Sequence, residues 1–375
     1  MNVINFSAGP CQLSKDLLKS TQNDILNYKN TGISIYELSH HTDMWKDLYF
    51  ETIHNTSAFL EVPNTHQSFF MNGGGTHQFS SICYNLCNSE SIVQVLITGF
   101  WSKKASKEIE KFCKVINVYN ETDLVDSPDF AFTYYCENET TIGFELRNGI
   151  SFNPKSHFIV CDMCSILGSK FVDISKYGII FSSLSKNLGI SGSTLVIGRK
   201  DILSKPKLIN PPIVMDWQPY IHLKGPTPTI MSIYMTNMNI KRMIKRGGIS
   251  YYNSLTFAKS QLFYNFIDKS NGFYINDIPQ ENRSRTNITF TVKNSIHLST
   301  LFCKNAVQHN FIGTQYHPSN PNKGCRISLY NGLELNEVKS FIEFMKTFQN
   351  KFNFENLQNT SLSTAADIVT TTQHV

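Results

Sequence analysis

The sequence predicts an α/β protein: a mainly parallel sheet covered by helices, followed by a smaller C-terminal lobe. Three observations carry this expectation. Short segments rich in β-branched and aromatic residues (Ser156 to Asp162, Gly178 to Phe181, Ser193 to Gly198) alternate with longer stretches whose apolar residues recur every three or four positions. The chain has 375 residues, more than the roughly 100–200 of one domain, so two lobes are expected. Toward the C-terminus, helical patterns at Tyr251 to Ile267 and Leu335 to Phe352 bracket strand candidates at Asn287 to Val292 and Arg326 to Leu329.

Further helices are expected at Leu13 to Asn27, Trp45 to Leu60 and Lys103 to Lys114, and a proline-rich loop at Pro211 to Pro228. The expected division is a large lobe over 1–255, with an N-terminal segment packing partly on the small lobe, and the small lobe over 256–352. From about Asn353 the chain is dominated by Asn, Thr, Ser and Gln without an apolar face, so 353–375 reads as a disordered tail outside the chemistry.

A hydrophobic content of 41% and a charged content of 17% fit a globular protein, and the net charge of +5 is spread without basic runs, which argues against nucleic-acid binding. Nine cysteines, scattered singly, suit a reducing compartment such as the cytoplasm. The N-terminus has no signal-peptide pattern and no apolar run is long enough to span a membrane.

Chemistry is suggested first by Ser185-Lys186-Asn187-Leu188-Gly189, a lysine after an apolar strand and before a glycine-rich turn. Its amine can form a Schiff base when unprotonated, and burial beside a cationic imine would lower its pKa. Alone, a solvated lysine at a strand end fits as well. Second, the apolar strand Phe158 to Cys161 ends in Asp162, two dozen residues earlier. A carboxylate there can keep a pyridine nitrogen protonated, although a strand-end Asp also serves as a helix cap or metal ligand. Cys161 and Cys164 form one C-x-x-C without a second pair, so no metal site is expected.

Third, Asn72-Gly73-Gly74-Gly75-Thr76 opens a helical pattern and can present backbone N–H groups, the Thr76 hydroxyl and the helix dipole to a phosphate. A tight turn would use the same glycines. Trp101, after Thr98-Gly99-Phe100, is placed to stack on a flat heteroaromatic ring, or to fill a core. Asn138-Glu139-Thr140-Thr141 is a polar cluster at the end of the Phe130 to Tyr135 strand, which a turn would also explain.

In order, these segments resemble the phosphoserine aminotransferase family from Asn5 to about Phe352. The shared motifs are Asn5-Phe6-Ser7-Ala8-Gly9-Pro10, Glu37-Leu38-Ser39-His40, the triple glycine, Gly99-Phe100-Trp101-Ser102, Asn138-Glu139-Thr140, Cys161-Asp162-Met163, Ser185-Lys186-Asn187, Arg283-Ser284-Arg285-Thr286-Asn287 and Arg326-Ile327-Ser328-Leu329-Tyr330-Asn331. The resemblance implies a fold type I transferase using pyridoxal 5'-phosphate, with a seven-stranded large-domain sheet, a smaller α/β C-terminal domain and a homodimeric assembly. It implies Lys186 as Schiff-base lysine, Asp162 at the pyridine nitrogen, Trp101 stacked on the ring, and Thr140 at the ring oxygen. Gly75, Thr76, Ser185, Pro226 and Thr227 would line the cofactor, Thr227 reaching the other subunit's phosphate. Arg326, with His40 and His41, would bind substrate. The implied substrates are small amino and 2-oxo acids, glutamate and 3-phosphohydroxypyruvate, in serine biosynthesis.

The sequence departs from that family mainly where substrate anions bind. His40-His41 stands where the family has His-Arg, and a mostly neutral imidazole cannot make an arginine's bidentate contact. The Gly313 to Gly324 segment lacks the family's second arginine, with His317 and Lys323 as possible substitutes. Ser185 replaces a Gln and Pro226 an Asn. An aminotransferase for another 2-oxo acid, and a non-catalytic cofactor-binding homologue, therefore stay open. Cys303 lies in a helical-looking segment and reads as core rather than as a desulfurase cysteine.

Overall fold

Apolar strands bury on both faces when helices cover a parallel sheet, and the central strands here are buried throughout. The computed structural model describes residues 3–150, 152, 157–317 and 324–370, with side chains through 353. Its strands are β1 (Ile4–Asn5), β2 (His66–Asn72), β3 (Ile92–Leu96), β4 (Lys114–Val118), β5 (Phe132–Cys136), β6 (Asn138–Glu139), β7 (Phe144–Glu145), β8 (Ile159–Asp162), β9 (Ile179–Ser183), β10 (Ser193–Arg199), β11 (Tyr274–Ile275), β12 (Asn287–Val292), β13 (Phe311–Ile312) and β14 (Cys325–Ser328). Its α-helices are α1 (Lys15–Leu26), α2 (Asp43–Phe59), α3 (Gly75–Leu86), α4 (Phe100–Ile109), α5 (Lys200–Leu203), α6 (Trp217–Ile221), α7 (Ile230–Lys245), α8 (Gly248–Asp268), α9 (Ile296–Gln308) and α10 (Leu335–Thr370).

The large sheet has seven strands in the order β2-β10-β9-β8-β5-β3-β4. Strands β9, β8, β5, β3 and β4 pair in parallel, while β10 runs antiparallel to both β9 and β2. The expected mainly parallel α/β architecture is therefore present. One face packs α2 and α7 around Tyr49, Leu195, Ile233 and Ile240. The other packs α3 and α4 around Phe79, Ile82, Ala105 and Ile109.

A second sheet, β11-β12-β14, carries a separate aromatic core of Phe263, Tyr274, Phe290, Phe302 and Phe341. The N-terminus joins it, because β1 pairs with β13 and Phe6 packs in the same core. Helix α8 links the two regions: Tyr252 and Leu255 belong to the first core, Phe263 and Ile267 to the aromatic one.

Three differences from the sequence reading have local causes. Helix α7 escapes the apolar periodicity because its buried face includes Ser232, Thr236, Asn237 and Asn239. Helix α4 starts at Phe100 rather than Lys103, since Glu139 from β6 satisfies its first-turn N–H groups. The Pro211 to Pro228 segment contains the short helix α6, capped by Asp216. Helix α10 continues past Phe352 to Thr370; residues 371–375 lie outside the described residues, as does Ser156.

Phe302 is fully buried and meets the rings of Tyr274, Phe290, Phe341, Phe344 and Phe348. Phe302→Ala is expected to cost about 3–5 kcal/mol in urea unfolding. A loss under about 1 kcal/mol would mean the aromatic core is not close-packed.

Candidate active site

In an open parallel sheet, ligand sites form beyond the carboxyl ends of the strands. Here β5 and β8 end level, with Cys136 opposite Asp162, and β9 places Phe181 opposite Asp162 before running on to Ser183. The chain beyond those ends lines a cavity of about 460 Å³ together with Gly75, Thr76, Trp101, Thr140, Lys186 and Arg326. Asp162 and Ser185 line it too.

Asp162 is almost wholly buried at 6% exposure, and its Oδ1 accepts the backbone N–H of Cys164 at 2.9 Å. Burial pushes its pKa up; Lys186 and the hydrogen bonds from Cys164 pull it down without cancelling the rise. For Lys186, burial pushes the pKa down, but Tyr330, Cys164, Asp162 and Cys136 outweigh it and the amine is held above the usual lysine range. The lowering anticipated from the sequence does not occur in the protein alone. Four surrounding groups that are anionic when ionised favour the ammonium form.

Trp101 is set by Glu139. Its Oε2 accepts the Trp101 N–H at 2.8 Å, and its Oε1 accepts the Ser102 N–H at 2.8 Å and hydroxyl at 2.7 Å. A fully buried carboxylate thus stands at the N-terminus of α4, where the helix dipole favours negative charge. Gly99 is required for this approach, since a Cβ there would lie 2.7 Å from the carboxyl carbon. The Trp101 indole N–H donates to Thr140 Oγ1 at 2.8 Å, and Arg326 Nη1 donates to the Thr140 carbonyl at 3.2 Å. Strand β14 holds Arg326 opposite Thr289 of β12, delivering a guanidinium from the small sheet to the large-sheet cavity.

Helix α3 starts from Gly74, which has no side-chain cap, so the Gly75 and Thr76 N–H groups can meet an anion, while that of His77 donates back to the Gly74 carbonyl at 3.0 Å. Gly75 packs so closely on Cys164 that an added Cβ would lie 2.6 Å from Sγ.

The model of the aminotransferase class-V family matches residues 3–341. The chain belongs to the class V aminotransferases. It is 34% identical over 365 residues to the probable phosphoserine aminotransferase of Dictyostelium discoideum, covering 93% of this chain and 97% of that one. It is 32% identical to the phosphoserine aminotransferase of Campylobacter lari, covering 94% and 99%. Among solved structures, phosphoserine aminotransferase from Bacillus circulans subsp. alkalophilus superposes with a TM-score of 0.87 at 28% identity, covering 93% of this chain and 99% of that one. A PLP-bound phosphoserine aminotransferase from Trichomonas vaginalis gives 0.83 at 30% identity, covering 92% and 100%.

In this class V aminotransferase the donor set fits pyridoxal phosphate: a lysine amine, a desolvated carboxylate, an indole and an uncapped helix start face one cavity. His40, Pro226 and Thr227 do not line it. They gather elsewhere around a smaller hollow containing His40, Asn72, Gly225 and Pro226, where Asn72 Nδ2 donates to the Thr227 carbonyl at 2.7 Å. His41 joins them, its ring 4.0 Å from that of His40. The sequence reading missed Glu139 as an anchor of Trp101, and Ala8 to Pro10 and Ser191 as cavity lining. His317 lines the cavity as well, whereas Lys323 lies outside the described residues.

The raised pKa of Asp162 sets a pH prediction. A carboxyl whose folded pKa exceeds its unfolded value near 3.9 costs stability as pH rises through that interval. Asp162→Asn should therefore raise the melting temperature of the cofactor-free protein at pH 8, with the gain fading as pH falls toward about 4. Equal melting temperatures at all pH values would contradict this.

Proposed function

We propose that this aminotransferase uses pyridoxal 5'-phosphate to move an amino group from glutamate to 3-phosphohydroxypyruvate, forming phosphoserine and 2-oxoglutarate in serine biosynthesis. The observation that carries the reading is the convergence of Lys186, Asp162, Trp101 and the Gly75-Thr76 helix start on one cavity. When bound, the cofactor supplies an aldehyde for amine exchange and a pyridinium ring that accepts the electron pair freed at the substrate Cα. In this reading Lys186 would hold the cofactor through Nζ, and its amine, once displaced by the substrate amine, would move the proton at that Cα. Asp162 would keep the ring nitrogen protonated, Trp101 would stack on the ring, and Thr140 would meet its oxygen. Gly75, Thr76 and Ser185 hold the phosphate side. Arg326 binds the substrate carboxylate through its planar fork.

The active assembly in this reading is a homodimer. His40, His41, Pro226 and Thr227, gathered away from their own chain's cavity, serve the other subunit's site. A cytoplasmic setting is part of the proposal and is supported by nine free cysteines. So is the division into a cofactor lobe over 1–255 and a smaller lobe over 256–352, which the separate aromatic core supports, with 353–375 a tail outside the chemistry.

A second reading, an aminotransferase for a different 2-oxo acid, is favoured by His41 and by the lack of arginine in the Gly313 to Gly324 segment. A coupled assay with glutamate and 3-phosphohydroxypyruvate tests the first. Turnover of another 2-oxo acid by cofactor-loaded protein, with no phosphoserine at any concentration, would overturn it. If the phosphorylated substrate is correct, His41→Arg adds a charged hydrogen bond worth about 1.5–3 kcal/mol. Its KM for 3-phosphohydroxypyruvate should then fall by roughly 10–100-fold, with kcat little changed. An unchanged KM would place His41 away from the phosphate.

A further inference from the structure

We propose that Lys259, which no step of the chemistry above uses, is a positioning residue: its buried amine sets the Tyr330–Leu333 turn and thereby the placement of Lys186 and Arg326. Lys259 lies on α8 between Leu255 and Phe263, where the helix passes from one core to the other, and it is fully buried. An ordinary core position would carry an apolar residue. This lysine instead donates from Nζ to the Tyr330 carbonyl at 2.9 Å and the Leu333 carbonyl at 3.0 Å.

Those carbonyls bracket Asn331-Gly332, a turn with no slack. A Cβ on Gly332 would fall 1.8 Å from the Gln12 carbonyl oxygen, so the turn and the N-terminal segment are in direct contact. From the turn, contacts lead to both working groups. The Asn331 backbone N–H donates to Asn187 Oδ1 at 3.2 Å, and Asn187 directly follows Lys186. The Asn331 amide also donates to the Gly168 carbonyl at 2.7 Å. The Tyr330 hydroxyl donates to the Ala8 carbonyl at 3.1 Å and accepts from Asn287 Nδ2 at 3.0 Å; of the groups that raise the Lys186 pKa it acts most strongly. On the other side the turn runs straight back into β14 and Arg326.

The amine tolerates either protonation state. Burial pushes its pKa to about 7, with Glu334 and Glu337 of the α10 start and Cys11 opposing the fall and Arg246 adding to it. A neutral amine still has two N–H donors, one for each carbonyl. The inference rests on Lys186 and Arg326 having the roles proposed above, so its test begins in the cofactor-free protein, where no turnover is needed.

The experiment compares Lys259→Met, similar in length but without donors, with Lys259→Gln, which keeps an amide donor. Lys186 in the cofactor-free proteins is titrated by its rate of reductive methylation with formaldehyde and cyanoborohydride, followed by peptide mass spectrometry. Lys259→Met is expected to shift the apparent Lys186 pKa by roughly one unit, with Lys259→Gln recovering part of the shift. In loaded enzyme, the KM for the amino-acid substrate should rise about tenfold, as expected if Arg326 is displaced. A folded Lys259→Met protein with unchanged Lys186 titration and unchanged KM overturns the proposal. If Lys259→Met does not fold, an unaltered Lys186 titration in Lys259→Gln overturns it equally. Failure of the unaltered chain to transaminate would sink the functional reading but leave the titration result standing.

Discussion

The site depends on one constraint, the parallel register that sets Cys136 of β5, Asp162 of β8 and Phe181 of β9 side by side. A one-residue slip in a strand reverses which face every side chain occupies. Asp162 would then leave the cavity and the lysine that follows β9 would lose its carboxylate neighbour. Register is strongly specified here because the three strands are buried along their whole length. The hydrophobic pattern that makes the sheet therefore also fixes the chemistry. Its cost is a desolvated carboxylate with a raised pKa, a local instability at the proposed cofactor site.

The small sheet must be held against that edge if Arg326 is to reach the cavity, and buried polar contacts do the holding. Asn138 Nδ2 donates to Ser165 Oγ at 2.7 Å and to Asn287 Oδ1 at 2.8 Å, joining the large lobe to β12. Nearby, Lys170 pairs with Glu137, and Glu145 with Arg285. Burial holds the Glu137 pKa up against the pull of Lys170, whereas Arg285 and Lys170 overcome burial and hold Glu145 down. Such groups add less net stability than apolar packing, but they penalise every alternative docking that leaves a charge unpaired.

Much of this was legible in the sequence because it lies in short motifs next to strand ends. The apolar run before Asp162, the triple glycine before α3 and the lysine after β9 each signal their geometry locally. Helix α7 was not legible, since buried Asn and Ser residues interrupt its apolar stripe. Nor was the part played by Glu139: a carboxylate in a polar cluster gives no sign that it will cap a helix beginning 39 residues earlier at Phe100. Lys259 is hidden for the same reason, its partners lying 71 and 74 residues away. Local pattern reveals residues whose environment is made by their neighbours in sequence, and tertiary partners erase that link.

The same distinction separates the proposed cofactor residues from the proposed substrate residues. Lys186, Asp162 and Trp101 follow strand ends or open a helix, where packing leaves little room for change. His41 and His317 sit on connecting segments, which tolerate replacement. His317 cannot simply stand in for an arginine. Burial, then Arg326 and Lys104, push its pKa below the usual histidine value, so the ring is neutral near pH 7. A dianionic phosphate beside it would favour the protonated ring, so the charge would be gained on binding rather than held in advance. Anion recognition through such a histidine is coupled to proton uptake, whereas a guanidinium carries a permanent charge.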